Sequence, residues 1–515
     1  MGEIGFLDLF AGCGGFSLGL EQAGLELVAA VELSPMAAES HFKNFHLRDQ
    51  AWDQPLWDEV LASNSGGSFA KQVHYGTVVG DVWDLLDDNE AMSLLKELAP
   101  EVVVGGPPCQ GFSMAGRRDP GDERNALPWA FLRFVDYLDP KAVVIENVVG
   151  INRAFVSRGG VESSFSQLRT ALERTGIERG GPGYLVQPVE VNARHFGVPQ
   201  NRPRMMLIGV RRDLPAAREA EASGAPFDVP WRSVDAFNGL LDGQEPMFGH
   251  RMVPVVGSQV EGDDPNQVHS AMEALADLDR NGYSLLHDSP RYGTKDLRFG
   301  SQMRGATPRT NRGGWWNWGS LRRRLRALVS PQPQNDTPPN HVPRNHSERV
   351  IQRFDLYHFF ADKGIPNTVL GLPSRALDDF EARQQVADVL GDHANEKPDR
   401  RFTTAEDDDL VDVVMRLATR KHSQRVVDAG EPAPTVLTLP DDYVHPIEPR
   451  IMTVRELARF QSFPDWFEFR SKETTGSDRR RFEVPQYSQV GNAVPPLMAK
   501  AIGQLLVDLL EASEA

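Results

Sequence analysis

Apolar residues follow two rhythms along roughly the first 210 positions. Residues 4–10, 27–31, 102–104, 142–145 and 205–210 form short apolar runs, the pattern of buried strands. Residues 16–23 and 129–138 carry apolar positions at helical spacing between them. Strands alternating with helices predict a doubly wound, mostly parallel α/β sheet of the Rossmann-like kind. After about residue 212, Pro, Gly, Asp and Arg become frequent and the periodicity fades through residue 448. That stretch is too long for a loop and is expected to be a separate, irregular domain, with residues 331–345 mobile. A helix resumes after Thr453 and stops at Pro464. A last one follows Pro495-Pro496, with Leu497, Ala501, Leu505 and Leu509 on one stripe. The expected division is therefore 1–212, an inserted domain 213–448, and a return to the first domain over 449–515.

Composition adds little until charge is mapped. The chain has 515 residues and a net charge of −17, which argues weakly against a nucleic-acid partner. Between Arg291 and Arg326, however, ten basic residues face a single acid, Asp296, giving that segment +9 and the rest −26. An acidic body with one strongly basic segment points to a local anionic partner; by itself the segment reads better as a solvated basic helix over Arg322–Arg326. Trp315, Trp316 and Trp318 beside Arg322–Arg324 fit either that partner or a small aromatic core. The run Glu406–Asp409 is expected to be a solvated surface. Two cysteines exclude a disulfide framework and fit a reduced, cytoplasmic compartment. No apolar run reaches membrane-spanning length, so no membrane association is expected. No cluster of ligand-type residues has metal spacing, so no metal is expected.

Two loops carry the candidate chemistry. The first strand runs into Ala11-Gly12-Cys13-Gly14-Gly15-Phe16 and a helix, and Glu32 ends the second strand twenty residues beyond Gly12. A glycine-rich turn lets a ligand approach a helix N-terminus, and an acid at that place binds ribose hydroxyls. Together they indicate a nucleoside cofactor; Gly-x-Gly-Gly is not the full dinucleotide fingerprint. The second loop, Gly105-Gly106-Pro107-Pro108-Cys109-Gln110-Gly111-Phe112-Ser113, follows a buried strand. A thiol held at that sheet edge is a candidate nucleophile, although a lone cysteine is as often a buried structural residue.

The second loop resembles the catalytic loop of the DNA (cytosine-5) methyltransferases. Further stretches are similar to motifs of that family, in its order: Asp8-Leu9-Phe10-Ala11-Gly12-Cys13-Gly14-Gly15-Phe16, Glu146-Asn147-Val148, Gln200-Asn201-Arg202-Pro203-Arg204, residues 453–464, and Gln489-Val490-Gly491-Asn492-Ala493-Val494-Pro495-Pro496. The resemblance implies S-adenosylmethionine as cofactor. Phe10 would lie against its adenine and Glu32 on its ribose, Asp81 would bond the adenine amino group, and Gly12, Gly14, Leu127 and Asn492 would be further contacts. It implies Cys109 as the nucleophile and Glu146 as proton donor to the cytosine ring. Arg204 would sit on the cytosine carbonyl oxygen, with Arg202 supporting Glu146. Double-stranded DNA is the implied substrate, its target cytosine flipped out of the helix and held by the loop after Cys109. The type implied is bacterial restriction–modification, paired with a cognate restriction endonuclease, and a monomer is expected. A tRNA methyltransferase on the same core is the alternative; the large basic insertion favours duplex DNA. A non-catalytic relative would have lost Cys109, Glu146 or Arg204, and all three are present. The DNA sequence recognised is not readable.

Overall fold

The computed structural model describes residues 4–48, 50–63, 68–108, 126–152, 155–157, 160–162, 164–224, 226–241, 252–260, 263–275, 278, 338–374, 379–396, 401–421, 424–476, 479 and 483–512. Its main sheet contains β1 (Gly5–Leu9), β2 (Glu26–Glu32), β3 (Thr77–Val79), β4 (Val102–Gly105), β5 (Ala142–Val148), β6 (Tyr184–Asn192), β7 (Pro203–Arg211) and β8 (Trp231–Arg232). The spatial order is β8-β6-β7-β5-β4-β1-β2-β3. The helices that matter below are α1 (Gly15–Gln22), α2 (Pro35–Phe45), α3 (Leu127–Leu138), α4 (Glu348–Lys363), α5 (Asp379–Leu390), α6 (Leu410–Leu417), α7 (Val454–Phe460), α8 (Gln486–Asn492) and α9 (Pro496–Glu511).

β1 to β5 pair in parallel, as the strand–helix alternation predicts. Leu9 lies beside Gly105, Gly105 beside Ile145, and Glu32 beside Val79, so four strand ends share one edge. β7 runs antiparallel to both β5 and β6. Its start, with Arg204 opposite Val148, therefore reaches the same edge from the other direction.

Alternation along each strand separates two cores. Phe6, Val102, Val104, Val144, Met206 and Ile208 face one side, with residues of α1, α7, α8 and α9. Leu7, Leu9, Val103, Val143, Met205 and Leu207 face the other, against α3. The C-terminal stripe packs on the N-terminal sheet as the sequence predicts. α1 and α9 touch so closely that a Cβ on Gly19 would lie 2.3 Å from the Ala499 Cβ. Val253–Val260, Ala271–Leu275 and Val427–Tyr443 contribute to the first core as well, so the inserted stretch is stitched into the sheet domain at both ends.

Three expectations about that stretch need correction. It is not uniformly irregular: α4, α5 and α6 enclose a core of their own, with Phe354, Tyr357, Phe360, Val386, Leu410 and Val414 buried. Nor is the acidic run simply solvated. Asp409 caps α6 by accepting from the Asp412 amide at 3.0 Å, and Asp407 accepts from the Arg416 guanidinium at 2.8–3.1 Å. Finally, the described part of residues 331–345 is pinned. Asn340 donates to the Phe469 carbonyl at 2.8 Å and accepts from the Phe469 amide at 2.9 Å, while Arg455 donates to Pro339.

Candidate active site

The glycine-rich turn leaves β1 through Phe10, a non-glycine residue at φ 60°. Such a conformation costs of order 1–3 kcal/mol and is kept where neighbours enforce it. Gly14 donates to the Ala11 carbonyl at 2.9 Å, closing the turn. Gly12 has φ +58°, and a Cβ there would meet no atom within 4 Å, so the outer side of the turn is open to a ligand. The Gly12 amide donates to Glu32 Oε2 at 2.9 Å and the Ser34 amide to Oε1 at 2.8 Å. Glu32 is thus brought against the turn, as its spacing predicts. Burial pushes its carboxyl up from the ordinary value, against the pull of these amides.

Beneath the turn, the Ser17 hydroxyl donates to Asp8 Oδ2 at 2.5 Å and lies 3.3 Å from His41 Nε2. All three are buried. Burial, with the charge of Glu32 adding to it, raises the Asp8 carboxyl to about 7 despite the Ser17 bond. Cys13, for which the sequence offered no role, donates to the Gln489 carbonyl at 3.6 Å. Burial pushes its thiol up, away from thiolate character, so it is a joint between the turn and α8 and a poor nucleophile.

The remaining predicted cofactor residues lie on the same edge or on helices that start or end near it. Asp81 caps the helix Val82–Asp87, accepting from the Trp83 amide at 2.8 Å. Leu127 opens α3, and Asn492, exposed, ends α8. Sequence reasoning missed Leu33, which is 65% exposed beside Glu32, and Trp83, 38% exposed beside Asp81. Their signal was available: a large apolar residue one position after Glu32 and another two positions after Asp81.

Cys109 and the loop that follows it lie outside the described residues, and so do the basic segment 291–326 and its tryptophans. The approach to Cys109 is described as far as Pro108. Asn147, also missed, donates to the Pro107 carbonyl at 3.0 Å and so clips this loop to the end of β5. Glu146 is half-buried beside it; a Cβ on Gly106 would lie 3.0 Å from Glu146 Oε2. The Arg204 guanidinium pairs with Glu146, Nε to Oε1 at 2.7 Å.

The role expected of Arg202 is corrected by this geometry: Arg204 supports Glu146. Arg202, 2% exposed, donates to the carbonyls of Val436 at 3.3 Å, Gly491 at 2.9 Å and Ala493 at 3.0 Å. The physical reason is register. Arg204 enters β7 opposite Val148, within reach of Glu146, whereas Arg202 precedes the strand and turns toward α8.

The arrangement brings a glycine-rich turn held on a buried acid and an arginine-paired carboxyl group to one sheet edge, beside a loop leading to a cysteine. The sequence profile of C-5 cytosine-specific DNA methylases matches residues 4–59 and 69–508. The Type II methyltransferase M.DdeI of Desulfomicrobium norvegicum is 25% identical over 97% of this chain and 88% of its own length. M.XorII of Xanthomonas oryzae pv. oryzae is 26% identical over 98% and 84%. M.AgeI of Thalassovita gelatinovora is 27% identical over 97% and 98%. The chain belongs to the C-5 cytosine-specific DNA methylase family and is a DNA (cytosine-5) methyltransferase.

Proposed function

We propose that the protein methylates carbon 5 of a flipped-out cytosine in a specific duplex sequence, with S-adenosylmethionine as donor and a transient adduct on Cys109. The observation that carries this reading is the Arg204–Glu146 pair at the β5 edge, with Gly106-Pro107 of the cysteine loop against it. Carbon 5 of cytosine is a poor nucleophile. Addition of the Cys109 thiolate to carbon 6 moves a π pair toward carbon 5 and ring nitrogen 3. Glu146 in its protonated form gives nitrogen 3 a proton, which removes the charge that would otherwise collect there. Arg204 holds the Glu146 carboxyl in place and offers its remaining N–H groups to the cytosine carbonyl. After methylation at carbon 5, a water molecule takes the carbon 5 proton, the thiolate is eliminated and nitrogen 3 returns its proton to Glu146, which restores the ring and releases the enzyme.

The residues at the glycine turn fit the donor. Glu32 offers acceptors for ribose hydroxyls, Gly12 leaves open space at the turn, and Phe10, Leu33 and Trp83 offer apolar surface to a purine. Asp81, Gly14, Leu127 and Asn492 complete the set. When bound, S-adenosylmethionine supplies an electrophilic methyl group. We place target recognition in residues 213–448, where the basic segment offers phosphate contacts, and assign a monomer acting in the cytoplasm, paired with a cognate endonuclease. The names of the relatives support that pairing.

The test supplies pure protein with tritiated S-adenosylmethionine and either duplex DNA or tRNA, followed by bisulfite sequencing of the DNA. Label on DNA, with 5-methylcytosine in one recurring sequence, is the expected result. Label on tRNA alone would favour the RNA enzyme on the same core.

A further inference from the structure

The redirection of Arg202 has a consequence for how the two halves of the site communicate. Its guanidinium grips the turn after α8 on both sides of Asn492, through the carbonyls of Gly491 and Ala493. A second route reaches the same turn. Gln200 donates to Gln461 Oε1 at 2.9 Å, and Gln461 donates to Val490 at 2.7 Å and Ala493 at 3.3 Å. Val436 is bracketed between them: its amide donates to Gln200 Oε1 at 2.9 Å and its carbonyl accepts from Arg202. The backbone carrying Arg202 is itself fixed. Its amide donates to Asn192 Oδ1 at 3.0 Å, and its carbonyl accepts from the Ala193 amide at 3.1 Å. Two residues on, Arg204 holds Glu146. One short rigid segment therefore carries two arginines, one on the turn of Asn492 and one on the carboxylic acid.

We propose that Arg202 is a positioning residue that couples the methyl-donor pocket to the Glu146–Arg204 pair, so that filling one pocket favours the competent form of the other. This inference rests on the reading of Asn492 as a donor contact and Glu146 as the group at the cytosine. Coupling of this kind is reciprocal between two ligands and is read as the factor by which one changes the affinity of the other. An arginine that only stabilised the fold would alter the folded fraction, not that factor.

The experiment measures S-adenosylhomocysteine affinity by calorimetry, with and without a duplex carrying the methylated sequence found by bisulfite analysis. Wild-type protein should bind S-adenosylhomocysteine on the order of tenfold tighter with DNA present. R202M, which removes every side-chain donor, should bring that factor to within about twofold of unity, and R202K, which keeps an ammonium donor, should restore part of it. Full coupling in R202M, or none in the wild type, would overturn the proposal while leaving the cofactor reading intact. No S-adenosylhomocysteine binding by the wild type would sink the cofactor reading and this inference with it. Wild-type hydrogen exchange gives a check that does not depend on the variants folding. S-adenosylhomocysteine alone should slow amide exchange in peptides covering residues 200–206 and 143–149. Protection confined to residues 10–16, 32–34 and 489–494 would contradict the coupling.

Discussion

Adding one methyl group at either of two glycines of the glycine-rich turn, Gly12 and Gly15, should separate donor binding from folding. Gly12→Ala places a Cβ where no atom lies within 4 Å, at φ +58°. Its cost to the fold is the left-handed backbone alone, about 1–2 kcal/mol. The methyl group, however, occupies the open side of the turn, and the Gly12 amide that bonds Glu32 sits directly beneath it. Gly15→Ala is different. Its Cβ would lie 2.3 Å from the Val494 carbonyl oxygen, 3.1 Å from Phe463 and 3.2 Å from the Ala493 Cβ. The nearest atom is backbone in the short link between α8 and α9 and cannot swing aside, so overpacking of about 1–3 kcal/mol or more is expected. Urea unfolding followed by fluorescence, and calorimetric titration with S-adenosylmethionine, read the two effects separately. Gly12→Ala should lose no more than about 2 kcal/mol of stability while its dissociation constant rises at least about tenfold, which is a loss of about 1.4 kcal/mol. Gly15→Ala should lose more stability than Gly12→Ala. Wild-type donor affinity in Gly12→Ala, or equal stability of the two variants, would refute the reasoning.

Other outcomes follow from buried charges. Arg459 and Asp465 form a bidentate pair at 2.9 and 2.6 Å inside the domain, so Asp465→Ala strands a buried guanidinium and should cost about 3–5 kcal/mol in urea unfolding; a loss under about 1 kcal/mol would mean that solvent reaches the pair. Burial raises the folded-state Asp8 carboxyl from 3.8 to about 7. Its contribution is therefore present below pH 4 and lost as pH rises to 7, on the order of 4 kcal/mol, and Asp8→Asn should flatten that part of the stability–pH curve relative to wild type. Unchanged curvature in Asp8→Asn would place the carboxyl in contact with water. Cys13→Ala should keep methyl-transfer activity, whereas Glu146→Gln, which cannot give up a proton to nitrogen 3, should lose on the order of a hundredfold or more in turnover while still binding DNA; a Glu146→Gln protein with wild-type turnover would remove the acid from the mechanism.

The strands that surrounded the catalytic edge were legible because their apolar runs are buried on both sides. β4, β5 and β7 needed no other signal. β6 was missed: Gln187 and Pro188 interrupt its apolar run, and only its pairing with β7 shows why they are tolerated there. Strand direction was equally hidden, since periodicity is the same for parallel and antiparallel neighbours, and the antiparallel β7 is what delivers Arg204 to Glu146. α6 was masked by the acidic run that caps it. Within the site, Glu32 was legible from its spacing to Gly12. The different fates of Arg202 and Arg204 were not, because they depend on carbonyls near 436 and 491–493 in sequence-distant segments.

The central claim is transfer through a covalent adduct on Cys109. Duplex DNA with 5-fluorocytosine at the target position tests it, because fluorine cannot leave carbon 5 as a proton and the enzyme cannot be released. The account predicts a complex that forms only with S-adenosylmethionine, survives denaturing electrophoresis, and maps by mass spectrometry to the peptide carrying Cys109. An adduct on Cys13, or a Cys109→Ser protein that methylates DNA at the normal rate, would contradict it.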